Sequence, residues 1–106
     1  MRVWEPGEIE TRELIPGADV GFVHTENMTL AYWDFDPGVP LPEHSHTHEQ
    51  VTNIIEGVFE LTVGGETRQL EAGSVVVIPP NATHCGRSVT ECRVIDVFYP
   101  VREDYR

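Results

Sequence analysis

A chain of 106 residues has room for one domain and one hydrophobic core, but not two. Its formal charge is -11 and its seven cations are all arginine, which speaks against nucleic acid and anionic membranes as partners; with no lysine, lysine Schiff-base chemistry is excluded. No apolar run reaches membrane-spanning length, and Met1 to Pro6 holds no apolar signal core, so a cytoplasmic location is expected.

The first 20 residues lack a regular pattern and suit an edge strand or a dimer arm. Thr29 to Asp36 is aromatic and alternating, which predicts a strand ended by Pro37-Gly38. Its Trp33 and Phe35 fit either a core or a dimer face. Val51 to Ile55 and Val58 to Val63 read as strands on either side of a Glu56-Gly57 turn. In the second of these, Phe59, Leu61 and Val63 point one way, Glu60 and Thr62 the other. Gly64-Gly65 is a two-residue hairpin signal. Ser74 to Ile78 is a continuous apolar strand that stops at Pro79-Pro80-Asn81. Thr83 to Ser88 and Cys92 to Phe98 are expected to pair as a last hairpin. Cys85 and Cys92 can then face each other, although reduced thiols suit a cytosolic protein better. Many short, evenly spaced strands and no sustained 3.6-residue period predict an all-β sandwich or barrel over residues 1–106.

Four of the five histidines sit in two places. His44, His46 and His48 alternate within seven residues that end at Gln50, and His84 follows the Pro79-Pro80-Asn81 turn. Residues two apart on a strand share a face, so His44 and His46 can converge on one ion. Gln50 has the same parity, and His84 would come from a strand lying opposite. Three neutral nitrogens and one neutral oxygen suit a first-row divalent metal and leave room for water or substrate. Spacing alone leaves His48 and Glu49 open as ligands, since a bulge would change which side chain points inward.

These residues also carry a family resemblance. Gly38, five residues, His44-Ser45-His46, three residues, Gln50, six residues and Gly57 resemble the first cupin motif. Gly73, five residues, Pro79, one residue, Asn81, two residues and His84 resemble the second. Gln50 stands at a usual glutamate, Asn81 at a usual glycine and Ser88 at the usual closing asparagine. The resemblance implies a small single-domain β-barrel of jelly-roll type, often a homodimer. It implies His44, His46, Gln50 and His84 as ligands of one divalent transition metal, with His48 left out. The glutamine weighs against glutamate-dependent oxygenase chemistry.

From about Ala31 onward the chain is similar to a narrower group, the pectin degradation cupins of KdgF type. The stretches that carry this are His44 to Gln50, Gly57 to Arg68 and the tail Asp96 to Tyr105. That group converts 4,5-unsaturated monouronates, released by pectate or alginate lyases, into linear keto sugars. It uses a glutamine at the metal, and an aspartate, a phenylalanine and an arginine at the spacing of Asp96, Phe98 and Arg102. Asp96 and Phe98 share a strand face with Cys92 and Val94, so Asp96 would point into the cavity as a proton donor or acceptor. Arg102, just past Pro100, would reach over the mouth to a substrate carboxylate. Nickel, zinc, manganese and iron all fit, because the reaction needs no redox change. The rival readings are a metal-dependent dioxygenase and a non-catalytic metal- or sugar-binding module.

Overall fold

Ten strands pair, all antiparallel, into two sheets in the computed structural model, which describes residues 1–106. In chain order they are β1 (Thr11–Ile15), β2 (Ala18–His24), β3 (Thr29–Phe35), β4 (Pro40–His44) and β5 (Glu49–Glu56). Then come β6 (Phe59–Val63), β7 (Glu66–Leu70), β8 (Val75–Ile78), β9 (His84–Ser88) and β10 (Cys92–Tyr99), with a 3₁₀ turn at Glu103–Tyr105. The larger sheet runs β1-β2-β3-β10-β5-β8 and the smaller β4-β9-β6-β7. No helix is long and apolar enough to cross a membrane.

Strand alternation puts one face of each sheet inward. From the larger sheet β3 buries Thr29, Ala31, Trp33 and Phe35, and β10 buries Cys92, Val94, Asp96 and Phe98. From the smaller sheet β6 answers with Phe59 and Leu61. Trp33 stacks on Phe35 with ring centroids 5.2 Å apart, and Phe35 meets Phe59 at 5.4 Å. Trp33 and Phe35 therefore belong to the core.

The expected last hairpin does not form. β9 pairs with β4 and β6, whereas β10 pairs with β3 and β5 in the other sheet. The loop between them is a corner that carries the chain across the sandwich, so Cys85 and Cys92 are free thiols on different sheets. Local pattern cannot tell a hairpin turn from such a corner, because both need only a short polar link. The turn at Gly57 is another corner, from β5 to β6. Near the N-terminus, β1 is the edge strand of the larger sheet.

Two of the three departures from the cupin motifs, Asn81 and Ser88, have local explanations. Asn81 takes φ 67°, a left-handed conformation that asparagine tolerates better than most side chains. Its N–H donates to the His46 carbonyl at 2.8 Å, tying the turn before β9 to the bend after β4. Ser88 is fully buried; its hydroxyl donates to the Asp36 carbonyl at 2.6 Å and accepts the Val39 N–H at 2.9 Å. That clamps the turn leading into β4 against β9.

One row across the outer face of the larger sheet is apolar. Val77, Val51, Val97, Leu30 and Val23 are register partners across β8, β5, β10, β3 and β2, with Val75 and Val77 more than half exposed. An antiparallel sheet with one solvated face normally alternates to polar residues there.

Gly57 and Gly38 both have positive φ, at 88° and 78°. A Cβ at Gly38 meets open space, whereas one at Gly57 collides with the Glu91 carbonyl oxygen. Gly38→Ala should cost about 1–2 kcal/mol for the left-handed backbone alone. Gly57→Ala should cost at least about 3 kcal/mol, because backbone must also shift. Urea denaturation of the two variants reads the difference; equal losses would mean the corner is not as tight as described.

Candidate metal centre and active site

The histidine cluster is built where β4 meets β9. His44 and His84 are register partners in that pair, with ring centroids 4.2 Å apart. β4 ends at His44, so His46 is not its neighbour by strand parity, as the spacing had suggested. His46 lies in the bend that crosses to the other sheet, and Asn81 pins its carbonyl. Gln50 follows on β5, buried in the larger sheet. The run thus closes around a point because the chain changes sheets within it. The nearest ring nitrogens of His44, His46 and His84 all lie within 4.8 Å of one another. His48 lies outside this group and Glu49 is exposed.

Each imidazole of the triad is oriented by backbone. Nδ1 of His44 donates to the Pro42 carbonyl at 2.8 Å, Nδ1 of His46 to the His48 carbonyl at 3.0 Å, and Nδ1 of His84 to the Ala82 carbonyl at 2.9 Å. A neutral imidazole that donates from Nδ1 carries its lone pair on Nε2. Burial lowers the pKa of both His46 and His84, helped at His46 by the Arg102 charge. Both rings therefore favour this neutral form.

Gln50 lies against this group. Its amide Nε2 donates to the Thr52 hydroxyl at 2.9 Å, and that hydroxyl donates to Asp96 Oδ1 at 2.7 Å. The amide oxygen Oε1 then faces His46 Nε2 at 3.0 Å. With His46 neutral, two lone pairs confront each other there. The buried Nε2 of His84 has no hydrogen-bond partner at all. Orphaned buried acceptors are rare, and a cation satisfies several at once. Three imidazole nitrogens and an amide oxygen fit a divalent transition metal.

Asp96 and Arg102 share a cavity of about 230 Å³ with His44, His84 and Gln50. Trp33, Phe35, Phe59 and Val94 make its walls largely apolar. Burial pushes the Asp96 carboxyl up to about 6, against hydrogen bonds from Thr52, Gln50 and Trp33 and the charge of Arg102. Arg102 is buried above the Phe98 ring, 4.8 Å from its centroid, and 4.2 Å from that of Tyr105. Its Nε and one terminal nitrogen donate to the two oxygens of Asp104 at 3.0 and 2.7 Å. Burial works to lower this guanidinium, but the Asp104 pair outweighs it and holds the pKa above its ordinary value. Phe98 presents its ring to His46 at 5.6 Å, nearly edge to face.

Several contributors were given no role by the linear reading, although Asp104 and Tyr105 lie in the tail that carries the resemblance. Asp104 and Tyr105 clamp Arg102, and the fully buried Thr29 accepts the Arg102 N–H at 2.8 Å. Thr52 is different: two residues past Gln50 on one strand, it shares the Gln50 face, and parity alone places it there.

Comparison with known proteins agrees with the fold and the cluster. The cupin domain family model matches residues 31–98. An uncharacterized protein of Streptomyces coelicolor is 31% identical over 94% of this chain and 97% of its own length. The chain belongs to the cupin family. Pectin degradation protein KdgF of Dickeya dadantii is 30% identical over 76% of each chain. The solved structure of KdgF from Halomonas sp. superposes with a TM-score of 0.94 at 28% identity, covering 100% of this chain and 99% of that one. Within the family, this is a small cupin of the KdgF type.

The folded protein holds the Asp96 proton more tightly than an unfolded chain, where the carboxyl titrates near 3.8. Its contribution to stability is therefore full below about 3.8 and lost as pH rises through about 6. In metal-free protein, Asp96→Asn should be more stable than wild type at pH 8 by up to about 3 kcal/mol. At pH 4 the gap should nearly close. Urea denaturation at both pH values checks this, and a gap independent of pH would show that Asp96 is not held in this way.

Proposed function

We propose that the protein opens the ring of a 4,5-unsaturated monouronate and converts it to a linear keto sugar. The observation that supports this most is the pairing of a buried carboxylate and a buried guanidinium, Asp96 and Arg102, on one cavity with His44, His84 and Gln50. Such a substrate carries a carboxylate, needs protons moved at two positions, and develops negative charge on one oxygen.

In this reading His44, His46, Gln50 and His84 hold one divalent metal. When bound, it supplies a Lewis acid beside the oxygen that becomes anionic. Arg102, fixed by Asp104 and Phe98, orients the substrate carboxylate through its planar fork. The anomeric hydroxyl loses its proton, and the bond from carbon 1 to the ring oxygen breaks. Carbon 1 becomes an aldehyde, and the electron pair passes to the ring oxygen as an enolate on carbon 5. Carbon 4 then takes a proton and carbon 5 becomes a ketone, so product and substrate are isomers. Asp96, held near pKa 6 by burial, sits at the right value both to accept and to return a proton near neutrality. Phe98 packs beneath the substrate and keeps water from the enolate. The glutamine leaves the metal more positive than a glutamate would, which suits stabilising an anion.

Lyase-treated pectate or alginate supplies the test substrate. Added metal-loaded protein should accelerate loss of the monouronate double-bond absorbance. Asp96→Asn and Arg102→Ala should each slow it by about 100-fold or more. No acceleration over buffer would overturn the function; oxygen uptake instead would point to a dioxygenase, and binding without turnover to a sugar-binding module. Near-normal rates in both variants would overturn the two roles but not the activity. Separately, His84→Ala should lose bound metal after dialysis, as read by elemental analysis, and full retention would remove His84 from the ligand set.

A further inference from the structure

Thr52 sits between two groups that make opposite demands on it. It is 4% exposed on β5, directly opposite Asp96 of β10 in the strand register. Its hydroxyl oxygen is 2.7 Å from Asp96 Oδ1 and 2.9 Å from Gln50 Nε2. A hydroxyl has one proton to give. An ionised carboxylate accepts only, so the Thr52 proton goes to Asp96 and Thr52 must accept from residue 50. Glutamine can donate there, but an ionised glutamate cannot.

We propose that Thr52 is a positioning residue that sets the direction of a buried hydrogen-bond chain, so that the Asp96 carboxylate dictates glutamine rather than glutamate at position 50. The same chain decides which end of the Gln50 amide faces the histidines. Because Nε2 is committed to Thr52, Oε1 is turned toward His46 Nε2, 3.0 Å away. A rotated amide would instead present N–H groups to the cluster and repel a cation. The metal-binding consequence rests on the proposed role of Gln50 as a ligand. The polarity of the chain does not, since it is a property of the metal-free protein.

Glutamate at position 50 would leave two carboxylates competing for one proton. Asparagine at position 96 can turn its amide to donate to Thr52, freeing the hydroxyl proton for the new carboxylate. The chain would then run the other way, fully satisfied. Gln50→Glu should therefore lower the urea midpoint of metal-free protein at pH 8, and Asp96→Asn should recover more midpoint in the Gln50→Glu protein than in wild type. Simple charge repulsion also predicts such recovery, so the same pair is measured in a Thr52→Val background. If Thr52 sets the polarity, most of the coupling disappears there; coupling undiminished without the hydroxyl would overturn the proposal. Thr52→Ser, which keeps the hydroxyl, should preserve it. Zinc titration is a second readout. Thr52→Val should weaken zinc binding by about 10-fold or more, as loss of a partner behind a metal ligand commonly does, with Thr52→Ser close to wild type. Wild-type zinc affinity in Thr52→Val would overturn the orienting role. Neither measurement uses uronate, so failure of the proposed reaction leaves this outcome separately readable.

Discussion

The candidate metal centre depends on three imidazole N–H groups being committed to backbone carbonyls. Pro42, His48 and Ala82 each accept one Nδ1–H from the triad, and that leaves three Nε2 lone pairs pointing into one space. Backbone acceptors are the most rigid available, since they move only if the strand ends move. The strand ends are themselves held, by Asn81 to His46 on one side and by Ser88 to the turn before β4 on the other. The motif departures at Asn81 and Ser88 therefore preserve the geometry around the triad.

Around this point the protein accepts several electrostatic costs. His84 Nε2 is buried without a partner, Gln50 Oε1 confronts a ring nitrogen, and Asp96 is buried where ionisation is disfavoured. Each is unfavourable in the metal-free chain, and each is a group that a bound cation or substrate would engage. Apolar packing around the site offsets these costs, including the contacts of Phe35 with Trp33 and Phe59 on the cavity wall. The apolar wall that stabilises the fold also raises the Asp96 pKa, so packing and acid–base tuning come from the same residues.

Six of the ten strands, β3, β5, β6, β8, β9 and β10, were legible in the sequence to within one or two residues, because period-two alternation and glycine or proline turns are local signals, whereas β1, β2, β4 and β7 were given no bounds. Pairing was less legible. The expected β9–β10 hairpin is a corner between sheets, since a short loop closes either arrangement. The alternation of His44 and His46 pointed to a shared strand face, yet only His44 lies on β4, and the two meet because the chain bends. Asp104 and Tyr105 lay in the tail that carries the resemblance and Thr29 in an expected strand, but none had a role until the tail folded back over Phe98 and placed Arg102 among them.

By itself the sequence determined the donor chemistry: three imidazoles and an amide in two motifs, a carboxylate on an inward strand face, and an arginine beyond a proline. The strand faces follow from residue type and period; the choice of His44, His46, Gln50 and His84 over His48 and Glu49 came from the motif resemblance. Only the tertiary structure decided which atom of each donor faces the cavity. That choice is made by hydrogen bonds to partners far apart in the chain: Asp96 acts on Gln50 through Thr52, and Asn81 acts on His46. A side chain with two unlike ends is directed by whatever holds the other end, and only folding brings that partner into reach.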